Sequence, residues 1–466
     1  MRLRIFGHYV HASIAVLAVI ELVLFVASFC GAAVMRTGGK VGEMSGVSGP
    51  LWPYSVIFAA AMFVSLMAFG LYSSRQRARI AGIVLRLFAA VAIGTLVMAV
   101  LLSFVPNPWI GSGVLAFAAV GAFICTSSSR TVFGRIVDED RFKRRVLVYG
   151  TGRRAMSIIG LRRRADRRGF ALVGFVAPEG EHCAVPAERV LSAPDGLLAL
   201  CKQHDVDEVV VAMDDRRRSF PIRELLDCRL AGIDVTELLT FLERETGRVH
   251  IDVLNPSWMI FGEGFRRDSL RLLSSRMLDL TASIVILVLT LPVMLLTALA
   301  IKIEDGWRAP VLYRQERVGL GGRVFQLLKF RSMRPDAESN GQPQWAQKND
   351  PRVTRVGAVI RKLRIDELPQ ILNVLRGHMS LVGPRPERPQ FVAELAEKIP
   401  YYVQRHCVKP GITGWAQLCY PYGSSEQDAL EKLQLDLYYI KNNSLLFDLA
   451  ILVQTAEVVF LGKGAR

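Results

Sequence analysis

RMLDLTASIVILVLTLPVMLLTALAIKI, residues 276–303, is apolar for long enough to cross a bilayer, yet it carries a proline at its centre, Pro292. A bilayer core about 30 Å thick needs roughly 20 helical residues. Proline removes one backbone donor and crowds the preceding turn. The flanks weigh more. Arg266, Arg267, Arg271 and Arg276 precede the apolar part, and Lys302, Arg308, Arg314 and Arg317 follow it. Basic flanks favour the cytoplasmic side, so both ends ask for the same side. The expectation is a re-entrant helix over 276–303 that breaks at Pro292, held by packing and by polar side chains such as Thr290. The competing reading is a straight span, which carries everything after Ile303 to the opposite side of the membrane.

The composition agrees with a membrane setting. The chain has 466 residues, which suggests about three domains of roughly 150 residues. Hydrophobic residues make up 51% and mean hydropathy is +0.29, while the net charge is +16. A chain both apolar and basic fits a membrane protein with basic cytoplasmic faces. Neither a zinc finger nor an RNP-type motif occurs, so no nucleic-acid partner is expected. The charge is assigned to anionic membrane lipid and anionic small molecules. The seven cysteines make no CxxC pair and read as reduced thiols.

Toward the N-terminus lie four apolar segments, at about 10–34, 54–72, 83–105 and 109–125. The first three are long enough to span; the fourth is short. The opening MRLR reads as part of an uncleaved anchor, because further spans follow. MRLR, the run RQRAR after the second segment and RFKRR after the fourth are basic, whereas the loops after the first and third segments are poor in Lys and Arg. That alternation puts the N-terminus and everything after Arg130 in the cytoplasm.

Next comes RRVLVYGTGRRAMSII, an apolar run leading into Gly150-x-Gly152-x-x-Ala155 and a helical pattern. Strand-like ALVGFVA and DEVVVAM follow, with helical stretches between. The alternation argues a parallel, Rossmann-like α/β domain over about 145–262. The glycine turn suits a phosphate at a helix N-terminus. The acidic residue expected about twenty positions on is not clearly present, so a nucleotide site and a structural or regulatory module both stay open.

Beyond the central helix, PVLYRQERVGLGGRVFQLLKFRSM reads as a hairpin around a Gly-Gly turn, ending at Lys329, Arg331 and Arg334. A polar loop follows, then VTRVGAVIRKLR with Arg355, Arg361, Lys362 and Arg364, then the acid pair of RIDELPQ, Asp366 and Glu367. Downstream, GPRPERP holds Arg385 between two prolines of fixed φ. Singly these are ordinary solvated charges. Together, arginines and lysines around one carboxylate pair make a site for a polyanion, since arginine forks grip phosphate oxygens. Adjacent helical residues point about 100° apart, so the two acids can take different roles. One can attack phosphorus and the other can orient a group or handle a proton. A Mg²⁺ shared between a carboxylate and a diphosphate relieves their repulsion. No Walker A motif is present.

The ordered series KFRSM, RKLRIDELPQILNVLRGHMSLVGPRPERPQF, VKPGITGWAQ and DLYYIKNNSLLFDL resembles the bacterial sugar transferase family, the polyprenyl-phosphate hexose-1-phosphate transferases, over about 272–466. The N-terminal half looks like the long form of that family, and the C-terminal sequence looks closest to its exosortase-linked exopolysaccharide branch. The resemblance implies three parts: a four-helix transmembrane region over 1–130, a cytoplasmic Rossmann-like domain over 131–265, and an α+β monotopic phosphoglycosyl transferase domain over 266–466. It implies a Mg²⁺-dependent reaction in which Asp366 attacks the β-phosphate of a UDP-sugar and releases UMP. Polyprenyl phosphate, undecaprenyl phosphate in most bacteria, then takes the phosphosugar and starts an exopolysaccharide repeat. Glu367 assists; Lys329, Arg361 and Arg385 fall on matching motif positions and bind phosphates; Asp366 lies on or near the metal. Arg331, close to Lys329 in sequence, is counted with them as substrate-binding. The implied location is the bacterial inner membrane, multi-pass, with the catalytic domain facing the cytoplasm, and a homodimer is among the expected states.

One departure stands out. Many relatives follow GITGWAQ with an Asn-Gly-Arg turn, whereas here LCYPYGSS brings Pro421 near that arginine's place. The sugar is therefore left open. The alternative reading is a membrane-tethered nucleotide-sensing or scaffold protein of a polysaccharide export complex, with the α/β domain as the active part.

Overall fold

The computed structural model describes residues 2–5, 8–37, 51–69, 71–72, 80–104, 112–136, 143–161, 169–215, 220–254, 269–334, 352–420, 423 and 425–460. The basic run 75–79, Arg266, Arg267, the polar loop after Arg334 and Pro421 lie outside the described residues. The chain divides into two compact units, Met1–Thr246 and Gly247–Arg466. Val249 is buried in the core of the second unit, and Ile251 and Leu254 pack against it. That unit thus begins earlier than the expected boundary at 266.

The first unit opens with a short antiparallel pair, Arg2–Ile5 and His8–His11, followed by the helices Ala12–Thr37, Trp52–Ala68, Ile80–Phe104 and Ser112–Ile136. Among the described residues four helices are long and apolar enough to cross a membrane: Val16–Arg36, Arg86–Phe104, Gly113–Phe133 and Ser269–Asp305. The second helix has 17 residues, about 26 Å, and the fourth has 25. This reverses the expected ranking of those two. Apolarity fades after Cys125, but the helix does not stop there. The Thr126, Ser129 and Thr131 hydroxyls donate to helix carbonyls at Ala122, Thr126 and Ser127, which lets polar residues continue the turn. Glu21, fully buried, accepts from Arg130 Nε at 2.8 Å and from the Tyr72 hydroxyl, while Arg130 Nη1 donates to the Leu71 carbonyl at 2.7 Å. An intramembrane charge is tolerated only when paired in this way.

The rest of the first unit is a four-stranded parallel sheet in the order Phe170–Val176, Arg144–Tyr149, Glu208–Val211, Asp234–Glu237. Its central strands are buried almost throughout, as the apolar runs VLVY and VVV require of a sheet covered on both faces. Arg144 and Arg244 both pair with the fully buried Glu208 at 2.8 Å, and both also reach Glu245. The network ties the sheet to the helix Leu238–Thr246.

In the second unit the expected hairpin is present. Leu312–Val318 pairs antiparallel with Val324–Phe330, and Gly321 and Gly322 take the positive φ of the turn, 64° and 79°. The long helix Ser269–Asp305 has 37 residues, about 55 Å, and Pro292 lies inside it. The break expected at Pro292 is thus not an interruption: the ring deletes one N–H, and the surrounding i to i−4 bonds carry the helix through. Beside it, Thr290 Oγ1 donates to the Ile286 carbonyl at 2.7 Å.

Both ends of this helix grip the same unit. Arg276 donates to the Val374 and Leu375 carbonyls at 2.7 and 2.8 Å. Asp279 accepts from the Ser380 hydroxyl and the Leu381 N–H, both at 2.9 Å. Twenty-five positions on, Glu304 accepts from the N–H groups of Arg355 and Val356 at 2.8 and 2.9 Å, at the start of the helix Arg355–Lys362. Between these anchors, Val288, Leu289 and Leu296 are each about two-thirds exposed or more.

Behind the hairpin, Asn373 is fully buried, accepts from Leu328 N–H at 3.0 Å and donates to the Gln326 carbonyl at 2.7 Å. It locks the helix Gln370–Leu375 onto the strand that carries Lys329.

Candidate active site

Asp366 and Glu367 lie on a 3₁₀ turn, Ile365–Glu367, between the helices Arg355–Lys362 and Gln370–Leu375. They are not in the first turn of an α-helix. Arg364, at φ 60°, enters the turn in the left-handed region, which costs a non-glycine residue free energy and marks an over-determined segment. In a 3₁₀ turn residues i and i+3 eclipse. Here those residues are Ile365 and Leu368, and both pack against the buried Ile301, Phe330 and Ile360. The two acids between them are left for the polar side.

The acids then diverge. Glu367 Oε1 stands 3.3 Å from Arg385 Nη2, 3.5 Å from Lys329 Nζ and 3.6 Å from Arg364 Nη1. Burial alone would raise its pKa, but Arg385, Lys329 and Arg364 outweigh burial and hold the carboxyl down at about 2. Burial pushes Asp366 the other way, and the Glu367 charge adds to it, against the pull of Lys329, Arg364 and Arg361. Burial also lowers Lys329, with Glu367 opposing. Asp366 Oδ1 is buried with no hydrogen-bond partner among the described residues. Two neighbouring carboxylates pushed apart in this way are the pattern of a divided pair of roles.

Arg385 is held by its backbone. Pro384 and Pro386 have no N–H, so the loop is secured through its carbonyls. Gly411 N–H donates to Pro384, Arg405 Nη2 to Arg385, Arg317 Nη1 to Pro386 and Val318 N–H to Glu387, at 2.9 to 3.1 Å. Arg405 is itself fixed by the buried Asp436 at 2.8 Å and by the Tyr402 hydroxyl at 2.7 Å. The Arg385 guanidinium reaches Glu367 and Gln417 Oε1, both at 3.3 Å. Arg317, Lys329, Glu367, Gln370 and Arg385 line one cleft.

Residues 270–462 match the family model described as bacterial sugar transferase. The chain is 41% identical over 309 residues to the UDP-N-acetylgalactosamine-undecaprenyl-phosphate N-acetylgalactosaminephosphotransferase of Aeromonas hydrophila, covering 66% of this chain and 70% of the relative. It is 32% identical to the UDP-glucose:undecaprenyl-phosphate glucose-1-phosphate transferase of Xanthomonas campestris pv. campestris over 99% of this chain and 96% of that one. A glucose-1-phosphate transferase of the same description in Escherichia coli is 32% identical over 75% of each chain. The chain belongs to the bacterial sugar transferase family. It is a transferase, and its long apolar helices make it a membrane protein.

Of the site residues expected from sequence, the transferase brings Asp366, Glu367, Lys329 and Arg385 together, and Arg361 acts electrostatically on Asp366. Arg331 stands elsewhere: it lines an open groove with Pro310, Val311, Leu312, Tyr313 and Arg314. Arg364 was named in the basic cluster around the acids without a role of its own; Arg317, Gln417 and the Arg405–Asp436 pair were not singled out from sequence as parts of the site. Only Arg364 carried a local signal, its adjacency to the acids; the others reach the site from distant positions.

The Asp366 carboxyl fits a Mg²⁺ site. Its free buried oxygen is a hard donor, Glu367 is already committed to three cations, and Mg²⁺ commonly takes one or two carboxylates plus substrate phosphates. Among the described residues no group of three or more His, Cys, Asp or Glu forms a cage.

The glycine turn of the α/β domain is differently furnished. Glu181 accepts from the N–H groups of Thr151 and Asp214, both at 2.7 Å, and Asp214 accepts from those of Arg153 and Arg154 at 2.9 and 2.8 Å. An anion at this turn has to displace two carboxylates of the protein.

Proposed function

We propose that the transferase moves a sugar-1-phosphate from a UDP-sugar to polyprenyl phosphate through a covalent intermediate on Asp366, and so starts an exopolysaccharide repeat. The observation that carries this reading is the split acid pair: Glu367 neutralised by three cations, and Asp366 beside it with an unpaired oxygen. Two relatives aligned over most of their length are named for transfer of a sugar-1-phosphate or sugar phosphate to undecaprenyl phosphate.

In the first step an Asp366 oxygen attacks the β-phosphorus. The bond from that phosphorus to the bridging oxygen breaks, and UMP leaves carrying the electron pair. In the second step an oxygen of the lipid phosphate attacks the same phosphorus and the Asp366 carboxylate departs. Lys329, Arg317 and Arg385 bind and orient the diphosphate, which is most of the work in phosphoryl transfer. Glu367 keeps Lys329 and Arg385 in place, and Arg361 adds positive potential. Mg²⁺ held by Asp366 and the diphosphate would supply further charge neutralisation.

In this reading the helix Ser269–Asp305 is re-entrant, bent at Pro292 with both ends on the cytoplasmic face of the inner membrane. The support is that one folded unit holds Arg276, Asp279 and Glu304 of a helix far longer than the bilayer core. The α/β domain serves assembly or regulation rather than the chemistry. The test is Asp366→Asn. Wild-type enzyme given UDP-sugar without lipid releases UMP and gains the mass of a phosphosugar on the peptide containing residue 366, and the variant does neither. An adduct on another residue, or full turnover by the variant, overturns the assignment.

A further inference from the structure

The hairpin carries more cations than the donor cleft uses. Tyr313 pairs with Lys329, Gln315 with Leu327 and Arg317 with Phe325. Residues opposite each other in an antiparallel pair share a face, as do residues two apart on one strand. The ladder runs one step further, because Arg331 N–H donates to the Val311 carbonyl at 2.9 Å. One face of the hairpin thus carries Arg317, Lys329 and Arg331, with Lys329 and Arg331 about 7 Å apart along the strand.

The two ends of this face line different spaces. Arg317 and Lys329 face the cleft that holds Glu367. Val311, Tyr313 and Arg331 line the second groove, about 620 Å³, with Pro310 and Leu312 as apolar wall and the exposed Arg314 at its rim. Arg331 lines this groove, and its Nη1 is buried with no hydrogen-bond partner among the described residues. A buried guanidinium N–H without an acceptor is costly unless a ligand supplies one. The groove also begins only five residues after Asp305, where the membrane helix ends.

We infer that this groove seats the phosphate head of the lipid acceptor, while the Lys329 end of the same face seats the donor diphosphate. This rests on the function proposed above and assigns its two substrates to two stations. An isoprenoid phosphate must keep its tail in the bilayer and bring only its head toward Asp366. A groove with an apolar wall beside the helix end and an unsatisfied arginine on the cleft side matches both demands.

The test uses full-length enzyme in lipid nanodiscs, with undecaprenyl phosphate as acceptor and the UDP-sugar that supports turnover as donor. Arg331→Ala raises the acceptor KM about tenfold and leaves the donor KM within about twofold. Arg331→Lys recovers part of the loss. Arg314→Glu, on an exposed side chain that the fold does not need, shifts the acceptor KM in the same direction and decides the matter if Arg331→Ala does not fold. A rise in donor KM with acceptor KM unchanged gives the groove to the nucleotide sugar and overturns the inference. Unchanged values for both overturn it as well. Inorganic phosphate added at fixed acceptor separates a lipid head from a general anion site: inhibition that is competitive with the lipid and weaker in Arg331→Ala supports the inference, and inhibition competitive with the donor opposes it. These are steady-state comparisons, so failure of the Asp366 adduct would sink the covalent route without deciding this one.

Discussion

The glycine turn at Gly150–Gly152 and the acid turn at Asp366–Glu367 solve opposite problems with opposite materials. At the first, backbone N–H donors are met by carboxylates, Glu181 and Asp214, so closely that a Cβ on Gly152 would come within 2.2 Å of Asp214 Oδ2. At the second, carboxylates are met by the long side chains of Lys329, Arg364 and Arg385, and one oxygen of Asp366 is left over. The turn with the familiar phosphate-binding spacing is filled by the protein itself. The turn with no such spacing keeps reactive capacity. A motif states what a backbone can hold; only the surrounding charges decide whether anything else can enter.

The comparison breaks most severely at Asp366. Asp366→Asn should cut UMP release by about 10⁴-fold or more, since removing a nucleophile removes the route rather than one contact. Glu367→Gln should cost less, about a hundredfold. It leaves Lys329, Arg364 and Arg385 facing one another without their counter-charge, and a variant with near-normal turnover would show that the cations are placed without it. The same variant sharpens the electrostatic side. Protonating Asp366 removes the nucleophile, so the acid limb of UMP release should lie above the 3.8 of an unperturbed aspartate. Because the Glu367 charge is one cause of that rise, Glu367→Gln should move the limb to lower pH. A limb near 2 in wild type would assign it to Glu367 instead. The smallest effect belongs to the other turn. Asp214→Ala frees the N–H groups of Arg153 and Arg154 and should lower stability by about 1 kcal/mol, as for a lost helix cap, while transfer stays within about twofold. Thermal denaturation and turnover measured side by side check this; collapse of turnover would mean the filled turn is wired to the chemistry.

Much of this was readable along the chain because it rests on local pattern. The hairpin follows from alternation around Gly321 and Gly322, the parallel sheet from apolar runs spaced by helical stretches, and the acid pair from its setting among arginines. What escaped depends on pairings between distant residues or on how an element ends. Glu21 meets Arg130 across 109 positions and Arg405 meets Asp436 across 31, and neither pairing has a local signature. Arg331 shares a strand face with Lys329 but lines a different space, which spacing alone does not distinguish. Pro292 looked like a break because proline lacks one donor, yet a long helix has enough neighbouring bonds to run through it. The fourth span looked short because its polar residues were counted against it, when their hydroxyls bond back to the helix.

The loop 384–387 has four successive carbonyls tethered, two of them by guanidinium groups. Such a loop resists displacement by an incoming molecule, so in the proposed reaction Arg385 would serve as a fixed gauge of where a phosphate must lie. A gauge of that kind is indifferent to the sugar beyond the phosphate. Relatives of this chain named for glucose and for N-acetylgalactosamine can therefore share it, and preference for one hexose over another has to be built into parts of the protein that are free to differ.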